Sequence, residues 1–387
     1  MQNAVLVMIS VALCVGVAEV VARMLVPPIT LPGTSATDDG VKSILAFDDK
    51  LGSLYKPNSS TTVRSQYGEF DVPYRINEFG LRERPLRDLR QSRRILVLGN
   101  SLVEGWGVRA SDGFVRVIEA ALNASMPGAA IATVNAGISG FGAAQSYLLY
   151  RKLRDEIKPD AVIFFYVSTM VHFDCNYLAD AELDSDGLAI GLSVDAIIKG
   201  GSSVKDGSET FASSPAARKL AEYSALARMV LMSLNAKHER DKIIPGDPRT
   251  DLLAGVRAEG GALAKLHEPS LRHVAAIARL ARQQNTPFLL VHLPLPHQIS
   301  ASEWSKGRVA YGLENRTYAA ADRTVVEDFC RRERINCVAA HDPLARAERD
   351  SDGQRLFYEY DFHPNKRGNR IIGEWAAPLV AAILKPR

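Results

Sequence analysis

Five short aliphatic runs punctuate the chain: "RILVLG" (94–99), "AIATVNAG" (130–137), "DAVIFFYV" (160–167), "PFLLVHLP" (287–294) and "INCVAAHD" (335–342). They are apolar at successive positions rather than at alternate ones, the pattern of strands covered on both faces. The stretches between them change period. "FVRVIEAALN", "AQSYLLYRKLRDEI", "SLRHVAAIARLARQQN" and "YAAADRTVVEDFCRRER" read as amphipathic helices, and "NRIIGEWAAPLVAAILK" as a last one with Ile371, Ile372, Trp375, Leu379 and Ile383 on its apolar side. Strands alternating with helices predict parallel βαβ units and an α/β fold, a three-layer α/β/α sandwich around a five-stranded parallel, flavodoxin-like sheet. Ligands of such a sheet bind beyond the carboxyl ends of its strands.

Two regions depart from this rhythm. "AVLVMISVALCVGVA" (4–18) carries no charge, and "VVARMLVPP" continues it after Glu19. Glu19 and Arg23 are four apart on one helical face, so residues 4–26 reach the roughly 20 residues that cross a bilayer, and Pro27 and Pro28 end the helix. Met1-Gln2-Asn3 supplies no basic residue and no small-x-small site follows, which favours an uncleaved transmembrane helix over a cleaved signal peptide. The expected organisation is a membrane anchor over 1–28, a linker and small polar module over 29–92, and the sheet domain over 93–387. An insertion at about 174–266 would cover the carboxyl edge. With a single anchor of this kind, the large domain is expected to be periplasmic or otherwise extracytoplasmic.

The 387 residues carry a net charge of +3 and no run of five basic residues, so neither nucleic acid nor a polybasic membrane patch is indicated. Cys14, Cys175, Cys330 and Cys337 have no CxxC spacing, against a zinc knuckle or thioredoxin-type site. Cys330 and Cys337 remain open as a disulfide or as two free thiols. No metal and no organic cofactor is expected.

The residues at the strand ends carry the candidate chemistry. The first strand ends at Gly99-Asn100-Ser101, the second at Asn135-Ala136-Gly137-Ile138-Ser139-Gly140, the third at Val167-Ser168-Thr169; "YEYDFHPNKRGN", with Asp361 and His363, precedes the last helix. A serine is a weak nucleophile without a base and oxyanion donors. His363 can serve as base, Asp361 as its orienter, and the amides of Ser101 and Gly140 as donors. The plain alternative for Ser101 is a helix N-cap, and for Asp361 and His363 a surface turn. Val103 stands where a G-x-S-x-G elbow needs its last glycine, and no G-K-[ST] is present. Gly105-Trp106-Gly107-Val108-Arg109-Ala110 fits a loose dinucleotide fingerprint, but begins too far past the strand and lacks the acidic partner. His172-Phe173-Asp174 offers two ligands, too few for a metal site. His292 and His297 read as a polar strand edge, His341-Asp342 as the close of the fifth strand with no helix following, and Phe164-Phe165-Tyr166 as core.

On "VLGNSLVEGWGV", "VNAGISGFG" and "DFHPNKRGN", together with "IKPDAVIFF" and the upstream "RINEFGLRER", the chain resembles the SGNH/GDSL hydrolase superfamily over about residues 93–385, in the form of its exported, N-terminally anchored members. The resemblance implies the flavodoxin-like sandwich and an acyl-ester substrate, including O-acetylated glycans. It implies Ser101 as nucleophile, His363 as base, Asp361 as orienter, and Gly140 as oxyanion donor. Some members are acyltransferases working beside a membrane partner, and a glycan-binding scaffold is a third reading. Two departures stand out: Asn100 replaces the family aspartate, and Ser168-Thr169 stands where the third block has an asparagine. Ser168 is then a weak candidate for the third oxyanion donor, and Asn176 lies too far along to substitute in simple register.

Overall fold

The computed structural model describes residues 2–25, 38–65, 67–89, 92–203, 220, 223–227, 229–230 and 241–384. Its centre is one parallel sheet of β1 (Arg93–Gly99), β2 (Ile131–Gly137), β3 (Ala161–Tyr166), β4 (Phe288–His292) and β5 (Asn336–Ala339). The strand order is β5-β4-β3-β1-β2, the flavodoxin-like arrangement. Gly99 pairs with Gly137, Leu98 with Phe164, and His292 with both Tyr166 and Ala339, so the five carboxyl ends finish nearly level. β2 and β3 are buried at every position, which is why their sequences show no alternation.

The helices fall on the two faces of that sheet. α2 (Phe114–Ser125) buries Phe114, Val115, Ile118 and Leu122, a 3.6-residue stripe, and packs on α8 (Lys366–Ile383). Burial of those four side chains contributes roughly 1.5–3 kcal/mol each before the entropy of ordering the helix. α3 (Ala143–Ile157), α5 (Gly260–Gln283) and α6 (Ala321–Glu333) pack together as the other layer. α5 starts well before the apolar run beginning at Ser270, because its first turns hold the buried Leu263 and His267.

Three boundaries differ from the sequence reading. The insertion begins later than 174, since α4 (Met170–Asp180) completes the third βα unit before an antiparallel hairpin, Ala181–Leu183 with Ala189–Leu192. His341 opens a helix, α7 (His341–Arg349), so β5 is followed by a helix after all. The module expected as a polar appendage contributes Leu51, Leu54, Tyr55, Ile76 and Leu81 to the same core as the sheet. Two antiparallel pairs, Leu45–Asp48 with Gly52–Tyr55 and Ser60–Arg64 with Asp71–Arg75, build it. Pro27, Pro28 and most of residues 217–237, a stretch of the insertion that reads as an amphipathic helix, "ARKLAEYSALARMVLMSLNAK", lie outside the described residues.

The N-terminal helix α1 (Gln2–Leu25) contains a stretch, Val5–Met24, long and apolar enough to cross a membrane, with nearly all its large side chains exposed. Glu19 accepts hydrogen bonds from Ser224 Oγ (2.7 Å), Ala225 N (2.8 Å) and Leu226 N (3.0 Å), and Arg23 bonds Glu19 at 2.8 Å.

Candidate active site

β1 delivers its chain end into a single helical turn, Ser101–Glu104. A Cβ on Gly99 would come within 2.4 Å of Val103 Cγ2, and one on Gly137 within 2.4 Å of the Glu104 amide nitrogen. The two glycines therefore let the turn settle onto the ends of β1 and β2. Asn100 caps it, Oδ1 accepting from the Leu102 amide at 3.1 Å. Capping thus falls to Asn100, and the Ser101 hydroxyl is released for other work. Asn100, which stands where the resemblance has an aspartate, keeps this acceptor.

That hydroxyl lies 2.7 Å from His363 Nε2, across 262 residues of sequence. His363 Nδ1 meets Asp361 Oδ1, which also accepts the His363 backbone amide at 2.9 Å. The Trp106 indole donates to Asp361 Oδ2 at 3.1 Å. With Nδ1–H given to the carboxylate, Nε2 carries the lone pair that receives the serine proton. Burial of Asp361 works to raise its pKa but is outweighed by the His363 ring and by the donors from His363 and Trp106, leaving it below the ordinary carboxylate value. Ser101 and His363 are each only 6% exposed, at the floor of a cleft of about 680 Å³. Trp106, Ser139, Phe173, Tyr311 and Phe362 are among its walls, and Lys242, Ile243, Thr250 and Leu252 bring the insertion over it.

The two amides expected as oxyanion donors are those of Ser101 and Gly140. As the first residue of a helical turn, Ser101 has an N–H without an intrahelical acceptor. Gly140 sits at φ +78 with open space where a Cβ would project, and its amide makes no backbone hydrogen bond among the described residues. A side chain at this φ would be strained and would stand over the rim.

Ser168 does not join them. Its hydroxyl is buried and donates to Asp322 Oδ2 at 2.5 Å, so its proton is committed to a carboxylate rather than offered to the cleft. The same Asp322 oxygen lies 3.2 Å from His292 Nε2, while Gln298 donates to Oδ1 at 2.7 Å. The His341 ring stands beside that of His292, centroids 5.1 Å apart. Burial, then Asp322's hydrogen bonds and the neighbouring rings, act on this carboxyl in opposite senses, and the net pKa is depressed. His297 packs between Trp304 and Tyr318, and burial pushes its pKa down to about 3.

The remaining candidates have structural partners. His172 lines the cleft with Nδ1 on the Pro248 carbonyl (2.9 Å), but Asp174 is turned away from it to cap α3 through the Ala143 and Ala144 amides (3.0 and 2.8 Å). Asn176 ties α4 to the Arg249 carbonyl at 3.2 Å. Among the described residues no group of three or more His, Cys, Asp or Glu is arranged to hold a metal. Phe164, Phe165 and Tyr166 are core, and all four cysteines are free thiols.

Several groups around the site were not found by reading the sequence. Glu104, 1% exposed, accepts from Tyr55 Oη (3.0 Å) and the Ser139 amide (2.5 Å), joining the serine turn to the loop that holds Gly140. Arg82 lies over the Tyr74 ring at 3.6 Å and donates to the Gly105 and Val108 carbonyls, each at 2.7 Å. "RINEFGLRER" contains that arginine, but its role in bracing the loop after Ser101 has no sequence signal.

No family model matches the chain, and no curated protein does. Solved structures similar to it include three esterases or lipases. One is Axe2, an acetylxylan esterase from Geobacillus stearothermophilus, here in a catalytic mutant (12% identity, 76% of this chain and 97% of that one, TM-score 0.40). Another is the psychrotrophic esterase EstA from Pseudoalteromonas sp. (12%, 75% and 98%, TM-score 0.36). A third is a GDSL-like lipase from Bacteroides thetaiotaomicron (13%, 77% and 90%, TM-score 0.32). At such TM-scores it is the geometry of the site, not this likeness, that bears on function.

Proposed function

We propose that the protein is a membrane-anchored serine ester hydrolase of the SGNH/GDSL type that works through an acyl-enzyme. The observation that carries this reading is the connected line Ser101 Oγ–His363 Nε2, His363 Nδ1–Asp361, Asp361–Trp106, open to a cleft. Ser101 Oγ attacks the ester carbonyl carbon as its proton passes to His363 Nε2. The carbonyl oxygen becomes an oxyanion facing the Ser101 and Gly140 amides. Collapse expels the alcohol, which takes the proton from His363. Water, deprotonated by the same ring, then attacks the acyl carbon, releases the acid and restores Ser101. Asp361 holds the ring's tautomer and stabilises the imidazolium, as its lowered pKa supports.

The substrate class is a small O-acyl group on a carbohydrate. Trp106, Phe173, Tyr311 and Phe362 surround the serine with flat apolar surface of the kind that sugar rings stack on. Helix α1 serves as the anchor, with the catalytic domain outside the cytoplasm. Release of p-nitrophenol from the acetate ester, with and without an O-acetylated or free glycan, tests the reading. Hydrolysis that depends on Ser101 supports it; acetyl transfer to the glycan in preference to water would move it to an acyltransferase.

A further inference from the structure

Residues 67–70 of the N-terminal module reach across to the loop that carries Asp361 and His363. Both oxygens of Glu69 are used: Oε1 accepts the backbone amides of Glu359 (2.7 Å) and Tyr360 (3.0 Å), Oε2 that of Asp361 (3.1 Å). Tyr67 stacks on Tyr360, centroids 4.4 Å apart with rings 9° from parallel, and Phe70 packs on Tyr358 and on Trp106. Tyr358 in turn donates to the Gly107 carbonyl at 2.6 Å, in the loop that places Trp106. We propose that Glu69 is a positioning residue of the active site, clamping the backbone of 359–361 so that Asp361 meets both His363 Nδ1 and the Trp106 indole. This rests on the esterase reading above for its kinetic arm, though not for its structural one.

The chemistry of the clamp is specific. Three N–H donors converge on one side chain, and only an ionised carboxylate presents acceptors to all three. Burial, opposed by those amides and aided by nearby Asp361, raises the Glu69 pKa. Glutamine would turn an NH₂ group toward backbone N–H groups and free part of the loop. Glu69 is not among the residues lining the cleft, so its loss should not change substrate binding directly.

The test uses the full-length protein in detergent, with active sites counted by fluorophosphonate titration. Glu69→Gln should lower kcat per titrated site by roughly 10- to 100-fold, since small misplacements of a catalytic group cost that much, with KM within about 2-fold. It should also shift or broaden the downfield proton resonance of the His363 Nδ1–H···Asp361 bond, a readout that needs no turnover. If Glu69→Gln does not fold, Tyr67→Leu removes the stacking on Tyr360 while keeping the carboxylate, and should lower kcat by about 3-fold with the same resonance perturbed. A folded variant with unchanged kcat per site and unchanged resonance would overturn the clamp. Wild-type protein that shows the resonance but takes no label would sink the esterase reading and leave the clamp standing.

Discussion

Two sets of serine, histidine and aspartate stand at the carboxyl edge of the sheet, one beyond β1 and one beyond β3 and β4. In the first, the serine hydroxyl faces a ring nitrogen and the carboxylate faces the other nitrogen of the same ring. In the second, Ser168 and His292 both turn to one oxygen of Asp322, and no ring stands between hydroxyl and carboxylate. Asp322 is a depressed, weak base, so the Ser168 proton has nowhere useful to go. The first set opens to the cleft; Ser168, Asp322 and His292 are each 1% exposed. Composition and strand-end position are nearly the same for the two sets. The order of contact and the access of solvent separate the proposed catalytic array from a core polar network.

The comparison can be broken hardest at Ser101. Ser101→Ala should reduce p-nitrophenyl acetate hydrolysis by about 10⁴-fold or more with the melting temperature nearly unchanged. Asp361→Asn should follow at about 10³- to 10⁴-fold in kcat, because the amide no longer holds the reacting tautomer of His363. Retention of most activity in either variant would place the chemistry elsewhere.

The sealed set should speak through stability instead. Asp322→Ala strands Ser168, His292 and Gln298 in the core and should cost about 3 kcal/mol in urea unfolding, with kcat per titrated site within about 2-fold. pH sharpens the contrast. Burial lowers the pKa of His341 and of His297 to about 3 from 6.5, so in the folded protein both rings stay neutral where unfolded ones take up protons. Stability should therefore fall as pH drops from about 6.5 toward 3, and His297→Phe should flatten that slope. The depressed Asp322 carboxyl stabilises above its ordinary value of 3.8 and gives that contribution up only in stronger acid. Ser168→Ala is the smallest change: about 1 kcal/mol of stability and no more than about 2-fold in kcat. A hundredfold loss of kcat there would restore Ser168 as an oxyanion donor.

What could be read from the sequence follows from locality. The five strands announce themselves because burial on both faces leaves unbroken aliphatic runs, and the expected ends fall within one or two residues for β1 and β2. That Ser101, Asp361 and His363 meet could be anticipated because each sits in a short local pattern at a strand end or before a helix. The direction of a side chain is not local. Ser168 occupies the position where the resemblance asks for a donor, yet its rotamer is chosen by Asp322, 154 residues away. Glu69 meets its amides across about 290 residues, and no periodicity reports such a pairing. The run "INCVAAHD" reads as a strand through Asp342, whereas His341 opens α7 and Pro343 stands in its first turn, where proline is tolerated.

Mass mapping of the adduct formed by a fluorophosphonate on the full-length protein tests the central assignment most directly. The account predicts one adduct, on the peptide containing Ser101, absent from Ser101→Ala and strongly slowed in Asp361→Asn. Folded wild-type protein that stays unlabelled, or an adduct on any other residue, would contradict it.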